Sequence, residues 1–239
     1  MTAVRLITLA ASGLLASTPS FAEDAKKQPW EASAELGYVM TSGNSETETL
    51  LAEADGKYRY GKFEHIGHIE ALNSSQNDER SAEKYMASAQ SNYALGEHNY
   101  VFGVLTWETD KFSGYDYQAS AAIGYGHKLI DEDNRTLSLE LAPGYRSSKL
   151  ETGKKNDEFI VRAKENFSYK INAHAKFNQF VSVESGDSNT QTRAGVSLTT
   201  QIAGALSTKL SYQVKHNSDV PEGTSKTDRE TAVTLVYDF

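Results

Sequence analysis

The last segment of the chain, from Thr227 to Phe239, constrains the fold more than any other stretch. Apolar or aromatic side chains occupy alternate positions up to the final residue, which is the period of a β-strand and not of a helix. Chain ends usually fray, so a soluble domain rarely ends on an aromatic residue inside a strand. A closed membrane barrel accounts for it, because its last strand pairs with its first. The alternative is the final strand of a soluble sandwich.

This terminal pattern resembles the C-terminal signal by which bacterial outer-membrane proteins are recognised during insertion. The resemblance implies two partners, which are the barrel-assembly machinery during insertion and the lipid of the outer membrane afterwards. The predicted assembly signal consists of the alternating residues Val233, Leu235, Tyr237 and Phe239.

The other end of the chain is typical of a secretory signal peptide. Arg5 precedes an apolar run over residues 6–16, which is too short to span a bilayer, and small residues follow. We expect cleavage after residue 22. Residues 23–29 are then a periplasmic lead-in, and residues 30–239 form the barrel.

The charge balance and the missing cysteines narrow the function. Removal of the predicted signal, which contains Arg5, leaves 23 of the 24 basic side chains and all 32 acidic ones, a net charge of −9. This sign argues against a nucleic-acid partner. Without cysteine there are no disulfides and no thiolate chemistry. No later apolar run has the length of a membrane helix, so a membrane location requires a closed barrel.

Alternating segments and turn residues recur along the whole chain and predict an all-β fold. We count twelve strands in an antiparallel, up-and-down transmembrane barrel, and an even number places both termini on the periplasmic side of the outer membrane. Connections after even-numbered strands are short, whereas those after odd-numbered strands are longer and more polar, such as residues 74–82 and 147–157. This asymmetry is expected between periplasmic turns and extracellular loops.

Aromatic residues fall into two rows, as expected for interfacial girdles. Near the short turns lie Trp30, Tyr58, Tyr60, Tyr93, Tyr125, Tyr169, Tyr237 and Phe239. Near the longer loops lie Tyr38, Tyr85, Tyr115, Tyr117, Tyr145 and Phe159.

Some segments fit the alternation poorly. Pro143 removes a ladder hydrogen bond and predicts a bulge. Strict parity directs Glu165 at lipid, so we expect either a bulge or a position near an interface. The register stays open in residues 63–73, 100–109 and 175–184.

Four motifs together resemble a known family. They are Leu36-Gly37-Tyr38 through Thr41-Ser42-Gly43-Asn44-Ser45, the run Trp107-Glu108-Thr109-Asp110-Lys111-Phe112-Ser113-Gly114, Gly124-Tyr125-Gly126 and Gly144-Tyr145-Arg146. In order and spacing they are similar to the salt-induced outer-membrane protein family of Gram-negative bacteria. The resemblance covers essentially the whole mature chain. It implies location and architecture, and it supplies no catalytic residue and no ligand.

Candidate chemistry is sparse. Some outer-membrane barrels are lipases, but only His216 is placed plausibly, and the neighbouring Ser218 lies on a loop without a fixed elbow. Sequence adjacency does not orient a nucleophile and its base. The acidic run over residues 131–134 lacks the glycine and the distal glutamate of a calcium loop. We therefore predict no catalytic residues, no metal site and no cofactor.

The predicted alternation directs one set of charges into the barrel. Acidic residues of the first three strands face basic residues of strands eight to eleven. If these charges pair across a tight interior, they close it; if water separates them, they order passing ions. The predicted lumen-lining charges are Glu31, Glu35, Glu53, Asp55, Glu70, Arg146, Arg162, Lys164, Arg193, Lys209 and Lys215.

Twelve strands lie between filled eight-stranded barrels and open porins, so barrel size leaves the function open. The first hypothesis is a narrow pore, or an envelope-stress-related barrel, for small ions or polar solutes. The second is a closed structural or adhesive barrel without transport. An outer-membrane esterase or phospholipase is the third.

Overall fold

The computed structural model describes residues 29–41, 47–76, 79–110 and 113–239. The described residues form twelve β-strands, and no helix among them is long and apolar enough to cross a membrane. The signal peptide predicted for residues 1–22 and most of the lead-in lie outside the described residues. The strands are β1 Trp30–Thr41, β2 Thr47–Tyr60, β3 Phe63–Gln76, β4 Glu79–Ala94, β5 Asn99–Asp110, β6 Tyr115–Asp131, β7 Arg135–Leu150, β8 Lys155–Lys170, β9 Ala175–Gly186, β10 Thr190–Ala203, β11 Leu206–Asn217 and β12 Thr227–Asp238.

The strands close into one antiparallel barrel. Each strand pairs with its neighbours in chain order, and β12 pairs with β1. The shortest strands have 12 residues, which exceeds the roughly 9–11 residues that a tilted strand needs to cross a bilayer. The predicted all-β, up-and-down barrel of about twelve strands is confirmed.

The closing seam between β1 and β12 is held near the chain end. Ser33 to Leu36 pair with Asp238 to Leu235, and the amide of Phe239 donates a 2.9 Å hydrogen bond to the carbonyl of Ala32. The last residue therefore takes part in barrel closure through its backbone, while its ring contacts that of Tyr237 at a centroid distance of 5.0 Å.

The two ends of the barrel differ in their connections. We call the end at which β1 begins and β12 ends the turn end, and the opposite end the loop end. The turn end has two-residue hairpins at residues 61–62 and 204–205. Gly61 and Gly204 adopt positive φ angles of 59° and 54° there, the conformation that tight hairpin turns require and glycine tolerates.

The prediction of long loops at the loop end was wrong at two places. β3 continues to Gln76 and β4 begins at Glu79, while β7 continues to Leu150 and β8 begins at Lys155. These segments are polar because they meet water, and they keep cross-strand partners such as Ser147 and Asp157. The polar residues of these segments indicate exposure to water, and they do not indicate a loop conformation of the backbone.

Side chains alternate between the lumen and an apolar outer face. On β5, whose parity the sequence left open, Phe102 and Val104 are buried in the lumen while Leu105 and Trp107 lie outside. Apart from Tyr115, the residues of both predicted aromatic rows with a described exposure are exposed or half-buried. Tyr115 was predicted outside but is buried, because the register shifts between Tyr115 and Tyr117. Its hydroxyl donates a hydrogen bond to the carbonyl of Asp219.

Pro143 is accommodated without the predicted bulge. The register between β6 and β7 is the same on both sides of the proline. The strands instead approach closely at Gly124, where a Cβ would clash with the carbonyl oxygen of Leu141 and lie 2.5 Å from the Cβ of Ala142. Glycine opposite the proline region thus replaces a bulge.

Glu165 lies on the outer face, as strict parity requires. No register shift occurs in β8, so the alternative of a bulge was wrong. Its carboxylate accepts a 2.7 Å hydrogen bond from Nε2 of Gln179, and along β8 it lies between Phe159 and Tyr169, which belong to different aromatic rows. The outer face therefore carries one carboxylate within its apolar band.

Candidate functional site

The lumen contains most of the predicted charges, and the first group joins strands across the seam. Nζ of Lys209 on β11 lies 2.7 Å from Glu35 on β1 and 3.1 Å from Glu53 on β2. The hydroxyl of Thr234 also donates to Glu35. One lysine thus offsets two buried carboxylates where the barrel closes.

A second group bridges the lumen directly. Glu108 on β5 accepts a hydrogen bond from Arg193 on β10, and Nζ of Lys215 on β11 lies 2.6 Å from the same carboxylate. Lys215 also lies 3.5 Å from Asp110. Arg193 and Lys215 are direct cross-strand partners, and like charges in such positions repel. Glu108, which is only 2% exposed, offsets both.

Uncharged side chains continue this bridge towards the loop end. Nε2 of Gln191 donates to Gln118 at 3.0 Å and to Asn217 at 3.3 Å. Asn217, which is 1% exposed, also accepts a 3.0 Å hydrogen bond from the amide of Asn189. Because Gln118 lies on β6 and Gln191 on β10, this contact also crosses the lumen.

Arg146 anchors the far side of the bridge. Its guanidinium donates to Glu158 at 2.6 and 3.1 Å and to the carbonyl of Asn189, and the side chain is 2% exposed. Ser188 supplies two more hydrogen bonds to Glu158, at 2.7 and 2.8 Å. We call this set the loop-end network: Glu108, Gln118, Arg146, Glu158, Ser188, Asn189, Gln191, Arg193, Lys215 and Asn217.

Looser ion pairs line the middle of the lumen. Arg162 lies 3.6 Å from Glu140 and 3.5 Å from Glu184, so attraction acts here without a short hydrogen bond. Glu140 is oriented by the hydroxyl of Tyr100 at 3.0 Å and by Gln90 at 2.8 Å. The pair is therefore positioned from β4, β5 and β7 together.

The predicted acidic residues Glu70 and Asp55 belong to a chain of contacts on β2 to β4. Lys84 lies 2.6 Å from Glu70, and His68 lies 2.8 Å from Asp55 and 3.8 Å from Glu70. Glu31 lies at the turn end, 2.6 Å from Arg59. All three predicted acids thus have partners on their own side of the barrel.

An apolar strip fills part of the lumen on β5 to β7. Tyr100, Phe102 and Val104 pack on Ala122 and Ala142. The small residues are necessary here; at Gly126, for example, a Cβ would clash with the ring of Tyr100. The remaining space lies towards the other strands.

That space is a cavity of about 1070 Å³, which opens at the turn end. Its wall includes Gly61 and Gly96 in the turns and extends to Gln118, Arg146 and Gln191 of the loop-end network. The cavity is therefore a vestibule that ends against the cross-lumen contacts.

The comparisons with known proteins agree with this architecture. Residues 34–239 match a family described as "Protein of unknown function, DUF481". The chain belongs to this family. It is also 30% identical to the uncharacterized protein YdiY of Escherichia coli (strain K12), over 98% of this chain and 97% of YdiY. The salt induction named in the family that the motifs resemble stays a prediction.

Solved structures share the fold of this DUF481 barrel at low identity. The NanC porin has 10% identity and a TM-score of 0.54, with 86% of this chain and 98% of NanC covered. An outer membrane channel from Pseudomonas putida F1 has 10% identity and a TM-score of 0.51, with 93% and 100% covered. At such identities the likeness concerns the fold alone, which is that of outer-membrane barrels.

The expected division into an acidic and a basic wall does not hold in the DUF481 barrel. Lys209 pairs with Glu35 and Glu53 of the predicted acidic wall. Arg193 and Lys215 pair instead with Glu108 on β5. Sequence reasoning missed Glu108 because the parity of residues 100–109 was open. It also missed the pairing roles of Glu140, Glu158 and Glu184, although the alternation around Pro143 and Phe159 contained the signal for the first two.

The alternative catalytic residues are not arranged as a nucleophile and its base. His216 hydrogen-bonds Thr227 at 2.8 Å, whereas the hydroxyl of Ser218 contacts Asn189 and the amide of Thr190. Within the described parts of the chain, no three His, Asp or Glu side chains are grouped to hold a metal ion.

Proposed function

We propose that the protein is a narrow, non-enzymatic outer-membrane channel for small ions or polar solutes. The observation that carries the proposal is the position of the charged cluster Glu108, Arg193 and Lys215 at the point where the vestibule ends. Buried ion pairs contribute little net stability compared with apolar packing. A barrel that only needed to be filled would gain more from apolar side chains, so the charges indicate passage of charged or polar solutes.

The cluster also provides the constriction of the proposed channel. Arg193 and Lys215 reach Glu108 through long, flexible side chains, so rotation about their bonds would widen the passage without breaking strand pairs. Ion selectivity would then follow from the charges that line the passage.

The orientation of the channel follows from the connections and the termini. Short turns face the periplasm in outer-membrane barrels, so we place the turn end, both termini and the vestibule mouth on that side. The outer face then contacts outer-membrane lipid between the aromatic rows. Insertion is assigned to the barrel-assembly machinery, which would recognise Val233, Leu235, Tyr237 and Phe239.

A closed structural barrel is the second candidate. The direct contacts of Gln118 with Gln191 and of Glu108 with Arg193 favour it, because they connect opposite walls of the barrel at that level. In this case the ion pairs specify the packing of the interior.

Conductance of purified protein in planar bilayers distinguishes the two candidates. The wild type is compared with a triple variant, Glu108→Ser, Arg193→Ser and Lys215→Ser, which removes the shared carboxylate together with both of its cations. We expect small conductance steps for the wild type and at least severalfold larger ones for the variant. Absence of steps in both folded proteins would support the closed barrel.

The matched control removes an ion pair outside the lumen. Glu132→Ser with Arg135→Ser deletes an exposed pair at a turn, where the two side chains lie 2.8 Å apart. This control should conduct like the wild type. Equal increases in the control and the triple variant would show that loss of charge, and not widening of the constriction, changes the conductance.

The assembly signal has its own test. Phe239→Ala removes a ring that is 67% exposed on the outer face, and by ordinary burial values it should cost at most about 2 kcal/mol. We nevertheless expect a marked loss of outer-membrane abundance. The control is Leu129→Ala, which removes an exposed apolar side chain of β6. Equal outer-membrane abundance of both variants would contradict the assignment of Phe239 to the assembly signal.

A further inference from the structure

The charges in the vestibule are not all paired. Of the cavity-lining residues that the structure describes, four lysines make no ion pair, hydrogen bond or ring contact, namely Lys57, Lys164, Lys170 and Lys176. The lining arginines and the other lysines have partners, such as Arg59 with Glu31 and Lys128 with Asp131. The unpaired charge in the vestibule is therefore concentrated on a few lysines.

Two of these lysines are placed directly beside each other. Lys170 on β8 and Lys176 on β9 are cross-strand partners at the turn end, and like charges in this position repel. The pair Arg193 and Lys215 has the same geometry at the loop end, but there Glu108 lies between the charges. No carboxylate of the described residues is within ion-pair distance of the lysine pair.

Lys164 lies deeper in the vestibule on the same wall. Its cross-strand partners are Glu140 on β7 and Ser182 on β9. Glu140 is already held by Tyr100 and Gln90 and faces Arg162. The half-buried side chain of Lys164 thus lines the cavity without an ion-pair partner of its own.

The wall between these lysines suits an oxyanion. Several of its cavity-lining residues on β8 to β10 are hydrogen-bonding and uncharged, and the one carboxylate of these strands in the lining, Glu184, lies 3.5 Å from Arg162. Glu31 and Asp238, which act on Lys176 from a distance, form no ion pair with it. Hydroxyl and amide groups can donate to carboxylate or phosphate oxygens. These neutral residues are Asn166, Ser168, Asn178, Ser182 and Ser197.

We propose that this wall of the vestibule binds small multivalent oxyanions, that is, polycarboxylates or phosphates. Lys170 and Lys176 capture the anion at the mouth, with Lys57 on the opposite side, and Lys164 holds it below the loop-end network. The volume of about 1070 Å³ accommodates such an anion with its water, since small-molecule sites span roughly 300–1,000 Å³. The site rests on the proposed function only in that the vestibule is open to water.

Equilibrium binding tests the site without any need for conduction. Citrate is titrated calorimetrically into the purified barrel in a neutral detergent, with inorganic phosphate as a second probe and uncharged sorbitol as the negative one. We expect saturable citrate binding that weakens with added salt. Lys164→Gln should weaken the citrate Kd about tenfold or more, the scale of one or two charge-assisted hydrogen bonds. The double variant Lys170→Gln with Lys176→Gln, which removes the charges at the mouth, should also weaken the citrate Kd, but by a smaller factor.

Folding does not confound these variants, because none of them leaves a carboxylate without its partner. Heat-modifiable gel migration verifies that each barrel is folded. Lys154→Gln, at the loop end and outside the vestibule, is the matched control and should bind citrate like the wild type. Equal citrate affinity in the wild type and in both lysine variants would overturn the site.

The outcome separates this site from the channel proposal. A barrel that conducts but does not bind citrate contradicts the anion site and leaves the channel intact. A barrel that binds citrate through Lys164 but does not conduct supports the site and contradicts the channel.

Discussion

The two halves of the lumen each contain a cross-strand pair of cations, but only one of these pairs contacts a carboxylate. At the loop end the cross-strand cations Arg193 and Lys215 meet Glu108, and this contact bridges the lumen. At the turn end the cross-strand cations Lys170 and Lys176 meet no carboxylate, and a cavity of about 1070 Å³ remains. One wall thus contains one compensated and one uncompensated cation pair.

This difference shows why net charge alone does not describe a barrel interior. A charge that is paired in a crowded lumen mainly holds its strand against the strand of its partner. Its loss leaves the partner as a buried charge without compensation. A charge that faces an open cavity stays solvated and is available to a solute. The position of each carboxylate therefore divides the lumen into a half whose cation pair is compensated and a half whose cation pair is not.

The largest effect is expected from breaking the compensated pair. Glu108→Gln keeps the shape of the side chain but removes the carboxylate that Arg193 and Lys215 share, which leaves only Asp110 near Lys215. We expect a loss of about 3–5 kcal/mol in the free energy of unfolding, as for other buried pairs that lose one partner. Reversible denaturant unfolding in lipid vesicles measures it.

Glu64→Gln is the control for that measurement. Glu64 lies 2.8 Å from Arg59 at the exposed turn end, where an ion pair contributes at most about 1 kcal/mol. If both variants lose the same stability, the loop-end network is not more tightly coupled than the mouth.

The second prediction sharpens the boundary between packed and open lumen. Gly124→Ala places a methyl group against the backbone of Leu141 and 2.5 Å from Ala142. We expect a loss of about 1–3 kcal/mol, as for other overpacked interiors. Gly67→Ala is matched to it, because a Cβ at Gly67 meets nothing within 4 Å. Equal unfolding free energies for the two variants would place β6 outside the packed region.

Much of the fold could be predicted from the sequence. The period of two is visible wherever one face meets lipid, so the strand number and the outward position of residues such as Leu141 and Val233 followed directly. Loop lengths could not be predicted, because strands that continue into water lose their apolar face and become as polar as loops. Tyr115 was misplaced for a related reason, since a bulge leaves no mark in the alternation.

The lumen was harder to predict than the outer face. Alternation identifies which charges point inwards, such as Glu35 and Lys209, but not which of them meet across the barrel. Contacts such as Glu108 with Arg193 depend on the stagger of strands that are far apart in sequence. The unpaired state of Lys164 could be recognised only after the partners of the other charges were known.

The third prediction moves the comparison to the outer face. Glu165 lies in the apolar band with Gln179 as its hydrogen-bond partner and no cation. A carboxylate facing lipid is destabilising, although less than a basic residue at the same depth. Glu165→Leu should therefore raise the unfolding free energy by about 1 kcal/mol in vesicles. Gln179→Leu alone should lower it, because Glu165 would lose its donor.

The smallest effect is expected at the uncompensated pair. Lys176→Glu places a carboxylate opposite Lys170. The turn end then has a compensating negative charge, as the loop end has in Glu108. Opposite charges on neighbouring strands contribute about 0.2–1 kcal/mol, and solvent screening at this exposed position favours the lower part of that range. We expect a gain of about 0.5 kcal/mol in unfolding free energy, together with weaker citrate binding.

Lys176→Gln separates the two contributions to this result. It removes the repulsion without adding an ion pair, so it should stabilise less than Lys176→Glu while also weakening citrate binding. The gain should shrink when salt is raised from low to molar concentration, because the pair is exposed. A loss of stability in Lys176→Glu at low salt would mean that the lysine pair already has a compensating charge, and the contrast between the two halves of the lumen would then disappear.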